Sequence, residues 1–212
     1  MTRSRRHPVL RGAQLLLGCV VLGVGVTLAL VPRLGSDGYS TLVNGLSIGL
    51  DVSFLWMSVV VGLAFVGLGW VRGVRPGIGT ITQVAVVSLV VNLGLEVVDQ
   101  PDALWARLVL LVAAFPVLAA GIALYLGVGL GAGPVEAAAL GFDPPVPFAV
   151  SYNTAQLLGA LVGWWQGAAV GLGTIVVIVL LGPAVALAAR LLRQDLHQPG
   201  TRAAEAAEAA SA

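Results

Sequence analysis

The tetrapeptide Gly77-Ile78-Gly79-Thr80 returns 94 residues later as Gly171-Leu172-Gly173-Thr174, and its surroundings return with it. Gly69, Trp70, Gly73, Gly77, Gly79, Thr80 and Ile81 align without a gap on Gly163, Trp164, Gly167, Gly171, Gly173, Thr174 and Ile175. Such self-similarity predicts two related copies, and in duplicated membrane proteins the substrate site is usually built where the copies meet. That a membrane is involved follows from composition. Hydrophobic residues make up 58% of the 212 and charged ones only 10%, whereas a soluble domain carries roughly 25% charged residues. Too little polar surface exists to cover a particle of this size in water, so the bilayer is the expected solvent.

Crossing the hydrocarbon core takes about 20 mainly apolar residues in a helix. Six segments qualify, at 12–31, 53–71, 78–98, 104–126, 148–168 and 172–192. Two shorter ones, 37–50 and 133–142, follow the glycine-rich stretches Leu34-Gly35-Ser36-Asp37-Gly38 and Leu130-Gly131-Ala132-Gly133-Pro134 and read as half-helices. Here the copies pair at an offset of 96, Gly25 with Gly121, Leu34 with Leu130, Gly35 with Gly131 and Gly45 with Gly141. The expected fold class is therefore all-α, a polytopic helical membrane protein with about six spanning helices and two half-helices. Its expected organisation is a basic tail at 1–11, one copy at 12–98, a linker at 99–103, the second copy at 104–192 and an Ala/Glu-rich polar tail at 193–212.

Arginine placement orients the chain, because cytoplasmic loops are enriched in basic residues. With six crossings and the N-terminus inside, nine of the eleven arginines are cytoplasmic and only Arg33 and Arg107 lie outside. Three crossings per copy is odd, so the copies would be inverted. With eight crossings they would be parallel, with Arg72 and Arg75 outside as well. The expected location is the bacterial cytoplasmic membrane with both termini inside. A cleaved signal peptide fits poorly, since no Ala-x-Ala-like site follows the first apolar run and the duplication needs that helix.

Gly159, Gly163, Gly167 and Gly171 recur every fourth residue, and Gly69, Gly73 and Gly77 mirror three of them. Small residues at this spacing let helix backbones approach closely in lipid, so all seven are expected at helix-packing faces, some of them at turns. Ionisable groups at membrane depth are usually functional. Glu136 falls in the first turn of the second half-helix, Glu96 extends a polar stripe from Ser88 and Asn92, and Asp51 ends the first half-helix. Asn44, Gln83, Tyr152, Asn153, Gln156 and Gln166 add neutral polarity suited to hydrogen bonds between helices.

The second half-helix, opened by Pro134, points unpaired N–H groups inward, a place for an anionic group. Candidate solute-binding residues are Gly133, Pro134, Glu136, Asn92 and Gln156, with backbone from Gly35 and Gly38. Gly127-Val128-Gly129-Leu130-Gly131-Ala132 matches a dinucleotide fingerprint, but that motif works only between a strand and a helix. The single cysteine, Cys19, excludes an internal disulfide, and His7 and His197 sit in the tails, so no metal site, catalytic set or cofactor is expected. No basic stripe suggests nucleic acid. The expected partners are the lipid bilayer, a small polar or anionic solute, and a second copy or another membrane protein. Two functions compete: a transporter-like permease, and a non-transporting scaffold or regulatory partner held by its glycine faces.

Gly131-Ala132-Gly133-Pro134 after a membrane helix, Gly77-Ile78-Gly79-Thr80, and Gly171-Leu172-Gly173-Thr174 with Gly182-Pro183 nine residues past Gly173 resemble the YczE branch of the YczE/YyaS/YitT bacterial membrane proteins. The resemblance runs from about 12 to 192 and implies a cytoplasmic-membrane protein with no established activity. Its pattern has Arg-Asp after Gly-Pro, where this chain has Val135-Glu136. It has Pro-Trp-Asp in the first copy, where this chain has Gly38-Tyr39-Ser40 and no acid. Asn92 stands where an Asp is common.

Overall fold

The computed structural model describes residues 8–143 and 145–193. The N-terminal tail to His7 and the tail from Gln194, with His197, lie outside the described residues. Among those described there are eight helices and no strands: α1 (Pro8–Leu30), α2 (Gly38–Leu50), α3 (Phe54–Val71), α4 (Ile78–Val97), α5 (Leu104–Leu126), α6 (Pro134–Leu140), α7 (Phe148–Trp165) and α8 (Leu172–Leu191). The fold is that of a polytopic helical membrane protein. Four helices, α1, α3, α4 and α5, are long and apolar enough to span a bilayer. A fifth is α8 if its two parts, bent by 48° where Pro183 interrupts the helix, are taken together. The expected sixth, α7, has 18 residues, but Ser151, Tyr152, Asn153, Thr154 and Gln156 dilute its apolar character. At 13 and 7 residues, α2 and α6 rise only about 20 and 10 Å, short of the hydrocarbon core.

The outer surface is apolar, and Trp56, Trp70, Trp105, Trp164 and Trp165 are 62–84% exposed. In water so many bare aromatic rings would be a liability, whereas at a lipid boundary they are anchors. Cys19 is fully buried among Leu15, Leu22, Leu118 and Tyr125 in the main core.

Helix directions are readable from which residues meet. A Cβ placed on Gly18 would collide with Tyr125, one on Gly25 with Leu118, and one on Gly121 with Leu22, so α1 and α5 run antiparallel with their backbones in contact. Arg11 Nη2 donates to Val128 O at 2.8 Å and Gln14 Nε2 to Leu124 O at 3.0 Å, continuing the same register. In contrast, Gly23 faces Val90 and Gly94 faces Thr27, so α1 and α4 run parallel.

Helix contacts come in matched pairs: α2 on α7 and α6 on α3, α1 on α4 and α5 on α8, α3 on α4 and α7 on α8, α2 on α3 and α6 on α7. Each half-helix is therefore seated on a helix from the other half of the chain. Glycines make the seats. A Cβ on Gly159 or Gly163 would enter the backbone of Gly38 or Thr41, and one on Gly69 the backbone of Ala137.

The remaining ladder glycines have other work, which refines the packing expectation. Gly73 (φ 95°) and Gly167 (φ 102°) end α3 and α7 in left-handed turns, with Val74 N–H bonded to Gly69 O and Ala168 N–H to Gly163 O, each at 2.9 Å. This turn is why α7 stops at Trp165 and not at 168. Gly77 and Gly171 are the N-caps of α4 and α8, and each lies against the loop that leads into the opposite half-helix.

Candidate functional site

The two Gly-x-Gly-Thr motifs grip the two half-helix lead-ins. Gly79 N–H donates to Leu130 O at 2.9 Å, and Gly173 N–H donates to Leu34 O at 3.0 Å. Gly35 (φ 105°) and Gly131 (φ 144°) turn the lead-ins there, in a backbone region that disfavours any side chain. Thr80 Oγ1 accepts from Gly77 N–H at 3.3 Å and donates to Ala132 O at 2.7 Å, tying the start of α4 to the lead-in of α6.

Held this way, both half-helices begin deep in the bundle and each brings a carboxylate. Asp37 is the N-cap of α2; its Oδ2 accepts from Ser40 N–H at 2.9 Å and its Oδ1 from Ser36 Oγ at 3.2 Å. Glu136, in the first turn of α6, folds back so that its carboxylate lies where a side chain on Gly133 would begin. Tyr125 Oη, itself fully buried, donates to Glu136 Oε1 at 3.4 Å.

Asp37 and Glu136 line one cavity of about 330 Å³, walled also by Ile122, Leu126, Phe148, Tyr152, Asn153, Gln156 and the α8 residues Val177, Leu181 and Val185. They also line an adjoining space of about 80 Å³, with Tyr39, Ser58, Gln83 and Pro134. Ile122, Tyr152, Gln156 and Leu181 are common to both spaces. Gln156 links the halves: its Oε1 accepts from Tyr39 N–H at 2.8 Å and its Nε2 donates to Tyr152 Oη at 3.0 Å. Phe148 and Tyr152 stack with ring centroids 5.6 Å apart. Ser88 Oγ donates to Ser58 Oγ at 2.7 Å behind the smaller space. Pockets for small molecules start near 300 Å³, so the larger space suits a small solute.

Of the residues picked from sequence, Glu136 and Gln156 line both spaces and Pro134 the smaller one, with Gly133 beneath the Glu136 carboxylate and Gly38 packed on the Gln156 backbone. Gly35 lies elsewhere, in the clasp and on the wall of a separate cavity of about 350 Å³ with Arg33, Thr41 and Asn44. Asn92 is also remote: its Oδ1 accepts from Leu55 N–H at 3.2 Å, capping α3, and its Nδ2 donates to Glu96 Oε1 at 2.6 Å on an exposed surface. Asp51 is the exposed left-handed C-cap of α2.

Two expectations change. The first half of the chain does bring an acid, Asp37, with Tyr39 and the already noted Gln83, and the second half adds Tyr125; Asp37, Tyr39 and Tyr125 are not among the residues singled out from sequence. Asp37 could have been found as the Asp preceding a helical run, an N-cap signal. Moreover, the positive ends of both half-helices are already covered by the protein's own carboxylates. The anion site expected at the α6 terminus is therefore occupied by Glu136.

The chain is similar to an uncharacterized protein of Haemophilus influenzae, with 26% identity over 187 residues, 87% of this chain and 86% of the relative. No solved structure matches it. The family assignment rests on the whole helical region: matched over residues 9–190, the chain belongs to a family of unknown function, DUF6198.

Proposed function

We propose that the protein is a small permease of the bacterial cytoplasmic membrane that carries a small polar solute between two inverted copies. The observation that carries this reading is the delivery of two carboxylates, from half-helices of opposite halves of the chain, to one cavity inside a lipid-facing bundle. Discontinuous helices meeting at such a site are the usual construction of secondary transporters. Antiparallel packing of α1 on α5 supports inversion, since parallel copies would place these two helices in the same direction. The parallel run of α1 and α4 supports a non-crossing α2, and with it six crossings with both termini inside. The likeness to the YczE branch belongs to this proposal, and so does the absence of any chemical step.

Flux is the test. Purified protein in liposomes is expected to move at least one of methylammonium, alanine, glycerol or acetate above protein-free vesicles. Glu136→Gln should abolish that flux and Gly67→Ala, a helix position with open space around it, should keep it. No flux of any of the four would overturn the permease reading. Topology has a separate test in a Cys19→Ala background: cysteines at positions 33 and 75 should label from opposite sides, and labelling from one side would sink the six-crossing arrangement.

A further inference from the structure

The donors and acceptors around the cavity do not balance, and the imbalance has a sign. Among the described residues lining the two spaces there is no arginine, lysine or histidine. Two carboxylates are present, and the side-chain donor that reaches Glu136 is Tyr125, through a long bond. Gln83 Oε1, on the wall of the smaller space, is shut off from solvent and has no hydrogen-bond donor at all. Gln156, on the wall of both spaces, already gives Nε2 to Tyr152. Buried polar groups in proteins are nearly always paired, and buried charges nearly always compensated. What is missing here is positive charge bearing N–H groups.

The opposite wall states the rest of the ligand. Ile122, Leu126, Val177 and Leu181 are apolar, and the stacked Phe148–Tyr152 pair presents ring faces that attract a cation. We propose that the cavity binds a small alkylammonium ion. Its N–H groups are divided between Glu136 and Asp37, and its hydrocarbon part lies along Phe148, Tyr152 and Leu181. This rests on the reading of the cavity as the solute site and narrows the solute from polar to cationic.

Full-length protein in detergent, at matched ionic strength, is titrated with n-butylammonium, butyrate or 1-butanol while its unfolding temperature is followed. Butylammonium is expected to raise that temperature saturably, and the other two are expected to leave it unchanged. Glu136→Gln and Asp37→Asn should each weaken the butylammonium effect at least tenfold. Stabilisation by butyrate, equal stabilisation by 1-butanol, no effect of butylammonium, or an effect that survives in both acid variants would each overturn the inference. Butylammonium binding without flux of any solute would leave this inference standing and overturn the permease. Flux of glycerol or acetate without butylammonium binding would do the reverse.

Discussion

The clasp formed by Gly77–Thr80 with the α6 lead-in and the one formed by Gly171–Thr174 with the α2 lead-in share their backbone bonds and differ in one hydroxyl. Thr80 Oγ1 donates to Ala132 O, but Thr174 Oγ1 is buried without a partner. The lead-in facing Thr174 has a different occupant: Thr41 Oγ1 donates to Ser36 O at 3.4 Å, the carbonyl that corresponds to Ala132 O. The two clasps share their main-chain geometry, while in one of them a threonine on the longer half-helix makes the side-chain bond. The backbone contacts made by glycine are common to both clasps, where any Cβ meets main chain or the paired threonine.

The comparison can be broken most severely at the positive-φ glycines. Gly35→Ala and Gly131→Ala both add a strained backbone and a Cβ that overlaps Thr174 or Thr80. Each is expected to cost about 3 kcal/mol or more, seen as lost folded protein or a large drop in unfolding temperature. If only one did so, the two clasps would not be equivalent. A finer split comes from the threonines. Thr80→Val should destabilise by about 1–2 kcal/mol, leaving Ala132 O without its donor, whereas Thr174→Val, which deletes an orphan hydroxyl, should be neutral or slightly stabilising. Equal losses in thermal unfolding would mean that Thr174 has a bonded partner after all.

The smallest effect concerns the starts of α3 and α7. The start of α3 borrows Asn92 from α4 to cap Leu55 N–H, while the start of α7 uses the nearby exposed Asp143, whose Oδ2 accepts from Phe148 N–H at 3.3 Å. Asn92→Ala should cost about 1 kcal/mol in unfolding and leave butylammonium binding intact, and Asp143→Ala should cost less. A loss of binding in Asn92→Ala would return that residue to the site.

Of the residues lining the two spaces, Pro134, Glu136 and Gln156 were legible as candidates in the sequence, and one omission is instructive. Aligning the lead-ins sets Ser40 against Glu136, so the first copy reads as having no acid. In space the Glu136 side chain curls back until its carboxylate lies over Gly133, and the residue aligned with Gly133 is Asp37. The charges are symmetric although the residues carrying them are not. An alignment compares backbone positions, and a flexible glutamate ends three residues from its own. Asn92 lies away from the cavity for a related reason: a polar stripe on a helix shows that something polar is met, and here that is the backbone N–H of Leu55 at the start of α3.

Apolar runs and their lengths were enough to indicate helices and a bilayer, because hydropathy and helical period are local properties of the chain. The glycine spacing likewise announced close backbone approach. Which backbone is approached depends on packing between residues about a hundred positions apart, and no local pattern encodes that. Folding therefore settled that each half-helix sits on the other half's third helix and that each Gly-x-Gly-Thr holds the opposite lead-in. The same packing placed both carboxylates in one cavity.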